Sequence, residues 1–190
     1  STQSQSPNGQ RVAVFMKEKG VDIPLTEIDL RGAENLADEH KNRNPFGRVP
    51  VLEMDDGTFL AESQAICLLL EGLYPEPNMF GNSPEEKAKI EMWNRRVELN
   101  VLMPVAQGFR NLTGFFKDRE TVVKEWGEVA AADAVRAVAI FDAHLANNQF
   151  ILGDRYCISD MTLAITLGFA KNVGQDLLGS ENIARWHAEV

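Results

Sequence analysis

The feature that most constrains the fold is a proline that introduces the clearest strand signal in the chain. Pro50 follows Val49 and opens an apolar run. Proline has no N–H donor, so a sheet accommodates it only at an edge, at a strand start or at a bulge. Downstream, Asp56-Gly57 is typical of tight hairpins. The pattern predicts a hairpin of strands over 49–54 and 58–60, entered through an X-Pro bond.

The chain divides at a proline-rich linker into two halves with different patterns. Before the linker, an N-terminal helix pattern, an alternating strand pattern over 23–30, the hairpin and an apolar helix over 63–73 follow one another. From Ser83 onward only helical periodicity is found, and Ser83 with its following proline is typical of a helix start. The predicted fold is an α/β domain over residues 1–75 followed by an all-helical (all-α) domain over residues 83–190.

Both ends of the chain are expected to be clipped. The sequence has no initiator methionine, and it stops at Val190 inside a helical pattern. An α/β half with this order of elements needs a further strand to complete its sheet, so a first strand is expected before Ser1.

The composition of the chain limits the classes of molecule that the protein is expected to bind. The formal charge of -9 and the isoelectric point near 4.9 predict a surface that repels nucleic acid, which is bound mainly through Lys and Arg. No run of about 18 apolar residues is present, so no membrane span is expected. Cys67 and Cys157 are too far apart for a CxxC-type site, which predicts no metal and a reducing, cytoplasmic location.

The residues around Pro50 resemble the N-terminal, thioredoxin-like domain of cytosolic glutathione transferases. The likeness rests on Asn44-Pro45-Phe46-Gly47, on the Asp-Gly hairpin and on Glu62-Ser63, and it extends over nearly the whole chain. It implies a thioredoxin-like domain followed by an all-helical one, and a cis bond at Pro50 where most X-Pro bonds are trans. It also implies glutathione as co-substrate, a homodimer and a role in detoxification.

The resemblance assigns two parts of glutathione to these motifs. The backbone N–H and C=O of Val49, held in place by Pro50, are expected to bind the cysteinyl part. Glu62 and Ser63 are expected to bind the γ-glutamyl end. A serine hydroxyl and helix-start N–H groups suit a carboxylate, and the neighbouring acid suits the α-amino group. Plain helix capping by Ser63 is the alternative.

The glycyl carboxylate of glutathione requires a cation or an amide donor. Arg48 is the preferred candidate because it directly precedes Val49, and Asn35, His40 and Lys41 are further candidates. Each of these side chains is equally typical of a solvated surface position.

The segment Ser6-Pro7-Asn8 carries the expected catalytic groups. It resembles a pattern of several serine and cysteine classes, in which the hydroxyl donates to the glutathione sulfur and lowers the thiol pKa from about 8.5. Capping of the following helix is the alternative role for Ser6. Asn8 resembles the sulfur-contacting asparagine of nu-type transferases, which favour disulfide reduction.

The helical half is most similar to a microbial group of transferases with an atypical catalytic site, in which a histidine and a serine hold a catalytic water. The corresponding residues 109–113 contain no histidine, so that mechanism does not carry over intact. The electrophile site is expected in this half, with core packing as the alternative role of its aromatic residues. Its predicted wall consists of Met103, Phe109, Arg110, Thr113 and Phe116.

The sequence thus predicts a transferase in which the glutathione thiolate attacks a small hydrophobic electrophile. Two alternatives stay open: a glutathione-dependent disulfide or peroxide reductase of nu type, and a non-catalytic protein that binds glutathione or apolar ligands. Asp160, three residues after Cys157, is predicted to be structural, as the acidic member of a capping box at a helix start.

Overall fold

The computed structural model describes residues 1–190, which divide into a first unit, Ser1–Asn78, and a second unit, Met79–Val190. The first unit combines a small antiparallel sheet with helices, and the second unit is helical. This confirms the predicted fold class, a thioredoxin-like domain followed by an all-helical domain. None of the helices combines the length and the apolar character that crossing a membrane requires.

The predicted hairpin and the helix after it are confirmed in the first unit. Its α-helices and strands are α1 (Pro7–Glu18), α2 (Asp38–Arg43), β1 (Val51–Glu53), β2 (Phe59–Ala61) and α3 (Ser63–Leu73), with a short 3-10 helix (Glu34–Leu36) before α2. The two strands pair antiparallel with Val51 opposite Ala61. Gly57 in the connecting turn has a φ of 79°, a left-handed conformation that glycine adopts without a Cβ clash.

The predicted strand over 23–30 does not form as a regular strand. A single parallel bridge joins Thr2 to Glu27 there. Its two hydrogen bonds run from Thr2 N–H to Thr26 O and from Ile28 N–H to Thr2 O, each at 2.8 Å. A strand is defined by a ladder with a neighbour, and Thr2 provides only one rung, so the alternating pattern alone overestimated this element.

Helices α1 and α3 pack side by side and form most of the core of the first unit. Near their C-termini, Lys19 Nζ lies 2.5 Å from Glu71 Oε2 and donates to Pro77 O at 2.6 Å. Buried apolar side chains fill the layer between the helices and the sheet: Val12, Phe15, Met16, Val51, Ile66, Cys67 and Leu70. This packing also brings the two helix N-termini together, where the candidate site lies.

The second unit begins with a long, continuous helical segment that contains one π-helical stretch. The run comprises α4 (Pro84–Val97), a π-helical segment (Glu98–Leu102) and α5 (Met103–Thr113), and α6 (Lys124–Leu145), α7 (Ile158–Ala170) and α8 (Glu181–Glu189) follow. Ser83 caps α4 as predicted, with its Oγ accepting from Glu86 N–H at 3.1 Å. The π-helical segment precedes Pro104, which lacks the N–H needed for a regular α-helical ladder.

The start of α7 is organised around the fully buried carboxylate of Asp160. One oxygen accepts from Ile151 N–H and from Trp186 Nε1–H, each at 2.8 Å. The other accepts from Cys157 N–H at 3.1 Å and from the Cys157 thiol at 3.3 Å. Burial raises the pKa of this carboxyl, against the lowering effect of its donors. The predicted structural role of Asp160 is confirmed.

Both cysteines are buried, and their burial raises the pKa of each thiol to about 12. Thiols with such values stay protonated at neutral pH, and the protonated form is a poor nucleophile. This agrees with the assignment of catalysis to other residues.

Candidate functional site

Ser6 caps the N-terminus of α1, with Pro7 at the first helical position. Its Oγ accepts from Gly9 N–H at 3.1 Å and donates to Gln3 O at 2.8 Å. The hydroxyl has a single proton, and the Gln3 carbonyl accepts it. The capping role considered for Ser6 is therefore present, and donation to a sulfur requires the bond to Gln3 to break.

Asn8 and Ser63 lie together at the starts of α1 and α3. Ser63 Oγ donates to Asn8 Oδ1 at 3.1 Å, although 55 residues separate them in sequence. Because the amide oxygen accepts this bond, the amide Nδ2 is the group that Asn8 presents to other partners, and it makes no hydrogen bond within the chain. Two helix N-termini also supply partial positive charge and N–H donors at this point.

Glu62, directly before α3, has an unusual backbone conformation. Its φ is 69° and its ψ is 115°, in a region that residues with a Cβ seldom adopt. Strained residues of this kind concentrate at functional sites, where the surrounding structure holds them. The side chain is exposed while that of Ser63 is buried, so the carboxylate is accessible beside the helix start.

The Val49–Pro50 peptide bond is cis, as the resemblance implied. Pro50 is buried and Val49 is half-buried, between the loop after α2 and the start of β1. The predicted site residues of this region all belong to the first unit and lie at three places. These are the start of β1 (Val49 and Pro50), the N-terminus of α1 (Ser6 and Asn8) and the N-terminus of α3 (Glu62 and Ser63).

The loop before Val49 is held by three side-chain amide or imidazole groups. His40 Nε2 lies 2.9 Å from the Arg48 carbonyl oxygen, and Asn44 Nδ2 donates to the same oxygen at 3.1 Å. Asn35 Nδ2 donates to Gly47 O at 2.7 Å. His40 is therefore a buried internal donor, whereas the Arg48 side chain is exposed.

Sequence reasoning missed Asn44 and considered His40 only as a ligand for the glycyl carboxylate. The sequence signal that could have identified them is the spacing of four residues between His40, within the short helix α2, and Asn44, at its C-cap. This spacing places both side chains on one face of the helix. That face lies against the loop that carries the Val49–Pro50 bond.

The phenylalanines of the predicted electrophile wall belong to an aromatic cluster of the second unit. The ring centroid of Phe109 lies 5.3 Å from that of Phe115, 6.5 Å from that of Phe116 and 5.1 Å from that of Phe169. Phe115 and Phe116 pack edge to face at 4.7 Å. These separations are typical of mutual aromatic packing, so a ligand at this wall would meet an already packed surface.

The polar members of the predicted wall are already paired within the chain. Arg110 forms an ion pair with Glu120 and lies 4.8 Å above the Phe116 ring. Thr113 Oγ1 donates to Phe109 O at 2.6 Å. Met103 stands at the opposite end of α5, half-exposed. The structure thus brings Phe109, Arg110 and Phe116 together and leaves Met103 apart from them. No group of three or more His, Cys, Asp or Glu side chains is placed to hold a metal ion.

Comparison with known proteins matches both the sequence and the fold. Residues 4–78 match the family model described as glutathione S-transferase, N-terminal domain. The chain is 34% identical over 168 residues to glutathione S-transferase 2 of Saccharomyces cerevisiae, covering 86% of this chain and 72% of the yeast protein.

Two solved structures share the architecture over almost the whole chain. The crystal structure of Gtt2 from Saccharomyces cerevisiae superimposes with a TM-score of 0.93 at 31% identity, covering 98% of this chain and 92% of that one. A glutathione S-transferase domain-containing protein of Marinobacter aquaeolei gives a TM-score of 0.94 at 32% identity, covering 98% and 94%. Both similarities span the first and the second unit.

Proposed function

The chain belongs to the glutathione S-transferase family and is a glutathione transferase, and we propose that its first unit binds glutathione at the paired starts of α1 and α3. The observation that carries this proposal is the hydrogen bond between Ser63 and Asn8. It joins the residue expected to hold the γ-glutamyl carboxylate to a residue expected to face the sulfur. The bound thiol is ionised there and attacks a small hydrophobic electrophile.

Each end of glutathione has a chemically matched group. The γ-glutamyl carboxylate takes the N–H groups at the start of α3 and the Ser63 hydroxyl, whose single proton turns from Asn8 Oδ1 to the carboxylate on binding. The exposed Glu62 carboxylate pairs with the α-amino group. Val49 offers its backbone N–H and C=O to the cysteinyl part. At the glycyl end, Arg48 is favoured because its side chain is exposed, whereas the amide of Asn35 already donates to the loop.

Asn8 is our preferred stabiliser of the thiolate, with Ser6 as the second candidate. The Asn8 Nδ2 group has no partner in the chain, whereas the Ser6 proton is given to Gln3 O. A donor and two helix N-termini favour the charged thiolate over the neutral thiol. Holding the thiolate beside the electrophile and lowering its pKa are then the whole catalytic contribution.

Substitution of Asn8 and of Ser6 separates these two candidates. We expect Asn8→Ala to raise the pKa of the bound thiol by about 1, equivalent to one lost hydrogen bond to a charged group. Ser6→Ala should change that pKa less and lower the free energy of unfolding by about 1 kcal/mol, because a helix cap is lost. Thiolate absorbance titrated against pH in the saturated complex measures the first effect. An unchanged pKa in Asn8→Ala, with a raised one in Ser6→Ala, reverses the assignment.

The reaction itself is tested with a chlorinated nitrobenzene and with a small disulfide as competing substrates. Conjugation faster than disulfide turnover is the expected result. Faster disulfide reduction identifies the nu-type reductase, and glutathione binding without turnover of either substrate identifies a carrier. Failure to bind glutathione at all contradicts the proposed site.

We also propose that the protein is a cytoplasmic homodimer with a role in detoxification. Support for self-association comes from exposed apolar side chains, among them Phe46 at 80% and Leu68 at 57% exposure. Such large apolar side chains are unfavourable in water, and a second copy of the chain would cover them. Sedimentation equilibrium at micromolar concentration tests this, and a monomer of 21.1 kDa would exclude the dimer.

A further inference from the structure

We propose that His40 and Asn44 are positioning residues that orient the Val49 N–H for glutathione. This inference rests on the proposed function, in which Val49 binds the cysteinyl part through its backbone. The starting observation is that two buried side chains donate to one carbonyl oxygen, that of Arg48. That oxygen belongs to the peptide unit that contains the Val49 nitrogen.

Because the Arg48 C=O and the Val49 N–H belong to one rigid peptide unit, hydrogen bonds to the carbonyl oxygen also fix the direction of the N–H. A peptide is planar, and in its trans form the C=O and the N–H point in opposite directions. The bond between Arg48 and Val49 is not among the cis bonds of this chain. Two donors that fix the Arg48 carbonyl therefore fix the direction of the Val49 N–H. A carbonyl oxygen has two lone pairs, so both donors are accommodated at once.

The two donors are themselves rigidly placed. His40 and Asn44 are 3% and 2% exposed, and they lie four residues apart at the end of α2. Asn44 Oδ1 also accepts from Phe46 N–H at 3.1 Å, so the same side chain shapes the loop and holds its last carbonyl. His40 Nδ1 is buried without a partner, which favours a lone pair there and the proton on Nε2.

Orientation matters because the loop has few other restraints. Between Asn44 and Val49 the additional bonds are Gly47 N–H to Asn44 O at 2.9 Å and Asn35 Nδ2 to Gly47 O at 2.7 Å. Neither bond acts on the peptide that contains the Val49 nitrogen. A donor that is already aimed loses less entropy when the ligand binds, so the clamp on Arg48 O should appear as affinity for glutathione.

The test compares His40→Phe with His40→Gln. Phenylalanine fills the site without donating, whereas the glutamine amide nitrogen reaches a position similar to Nε2. We expect His40→Phe to weaken glutathione binding about 10-fold, the effect of one lost hydrogen bond, with KM raised and kcat within about twofold of wild type. His40→Gln should recover most of the affinity. Calorimetric titration with glutathione and steady-state kinetics provide the measurements.

His144→Phe is the matched control. His144 Nε2 also lies 2.9 Å from a backbone carbonyl, that of Ile151, but it belongs to the second unit. This variant removes the same kind of bond and should leave the Kd for glutathione unchanged. The Val49 amide resonance in a ¹⁵N-labelled sample gives a direct readout, because it should shift in His40→Phe and stay in place in His144→Phe.

Several outcomes overturn the inference. They are wild-type affinity in His40→Phe, equal losses in both His40 variants, or a matching loss in His144→Phe. If His40→Phe does not fold, Asn44→Ala provides the test, because it removes the second donor to Arg48 O. Wild-type affinity for glutathione in Asn44→Ala would contradict the proposed positioning role. Failure of wild-type protein to bind glutathione refutes the proposed function instead, so the two failures are distinguishable.

Discussion

Replacing Asp160 by alanine is expected to lower the free energy of unfolding by about 3–5 kcal/mol. The substitution leaves Ile151 N–H, Cys157 N–H and Trp186 Nε1–H without the carboxylate oxygens that accept them. All three donors belong to buried residues, so water does not replace the lost acceptor without a rearrangement. Each unsatisfied donor costs about 1–3 kcal/mol, and the effects are not strictly additive.

Two companion substitutions control this prediction. Asp160→Asn retains one acceptor oxygen and should fall between wild type and alanine. Asp154→Ala removes an exposed carboxylate from the same loop and should change stability by less than about 0.5 kcal/mol. Urea unfolding followed by tryptophan fluorescence measures all three, with Trp186 reporting on the site. A loss below about 1 kcal/mol in Asp160→Ala would mean that the loop before α7 repacks freely.

The parts of the fold that could be predicted from sequence are those fixed by neighbouring residues. Pro50 cannot donate to a ladder, and Gly57 permits the tight turn, so the hairpin position follows from local chemistry. Ser83 with its following proline likewise marks the start of α4 by itself. The segment 23–30 failed because alternation describes a possible strand, whereas a strand exists only where a partner runs beside it.

The motifs of the candidate site were predicted from the sequence, but the hydrogen bonds and packing contacts between its residues were not. Nothing local relates Ser63 to Asn8, because their hydrogen bond depends on how α1 packs against α3. The same holds for His40, whose imidazole looked available for a ligand until the fold placed it against Arg48 O. Phe169 was not considered for the electrophile wall, since only tertiary packing brings it to Phe109. Long-range side-chain contacts are therefore what the sequence left undetermined.

The largest effect on glutathione binding is expected for Ser63→Ala. Under the proposed function, the Ser63 hydroxyl donates to the γ-glutamyl carboxylate, and a hydrogen bond to a charged group contributes about 1.5–3 kcal/mol. The Kd for glutathione should therefore rise about 10- to 100-fold. Ser83→Ala is the matched control, because it also removes a serine hydroxyl at a helix start and should weaken stability without changing the Kd. Equal affinity in wild type and Ser63→Ala would place the γ-glutamyl end elsewhere.

Ser63→Ala should also affect the thiol through Asn8, and a double-mutant cycle detects this. In the free protein the Ser63 hydroxyl fixes the Asn8 amide with its oxygen toward Ser63 and Nδ2 available for the sulfur. When glutathione binds, the hydroxyl proton turns to the γ-glutamyl carboxylate, and the Ser63 Oγ still lies beside the amide and limits its rotation. Without that hydroxyl the amide can rotate, so Asn8→Ala should raise the pKa of the bound thiol less in the Ser63→Ala background than in wild type. We expect a coupling free energy of at least about 0.5 kcal/mol, measured at saturating glutathione. Strictly additive pKa changes would mean that the two residues act independently, one on the carboxylate and one on the sulfur.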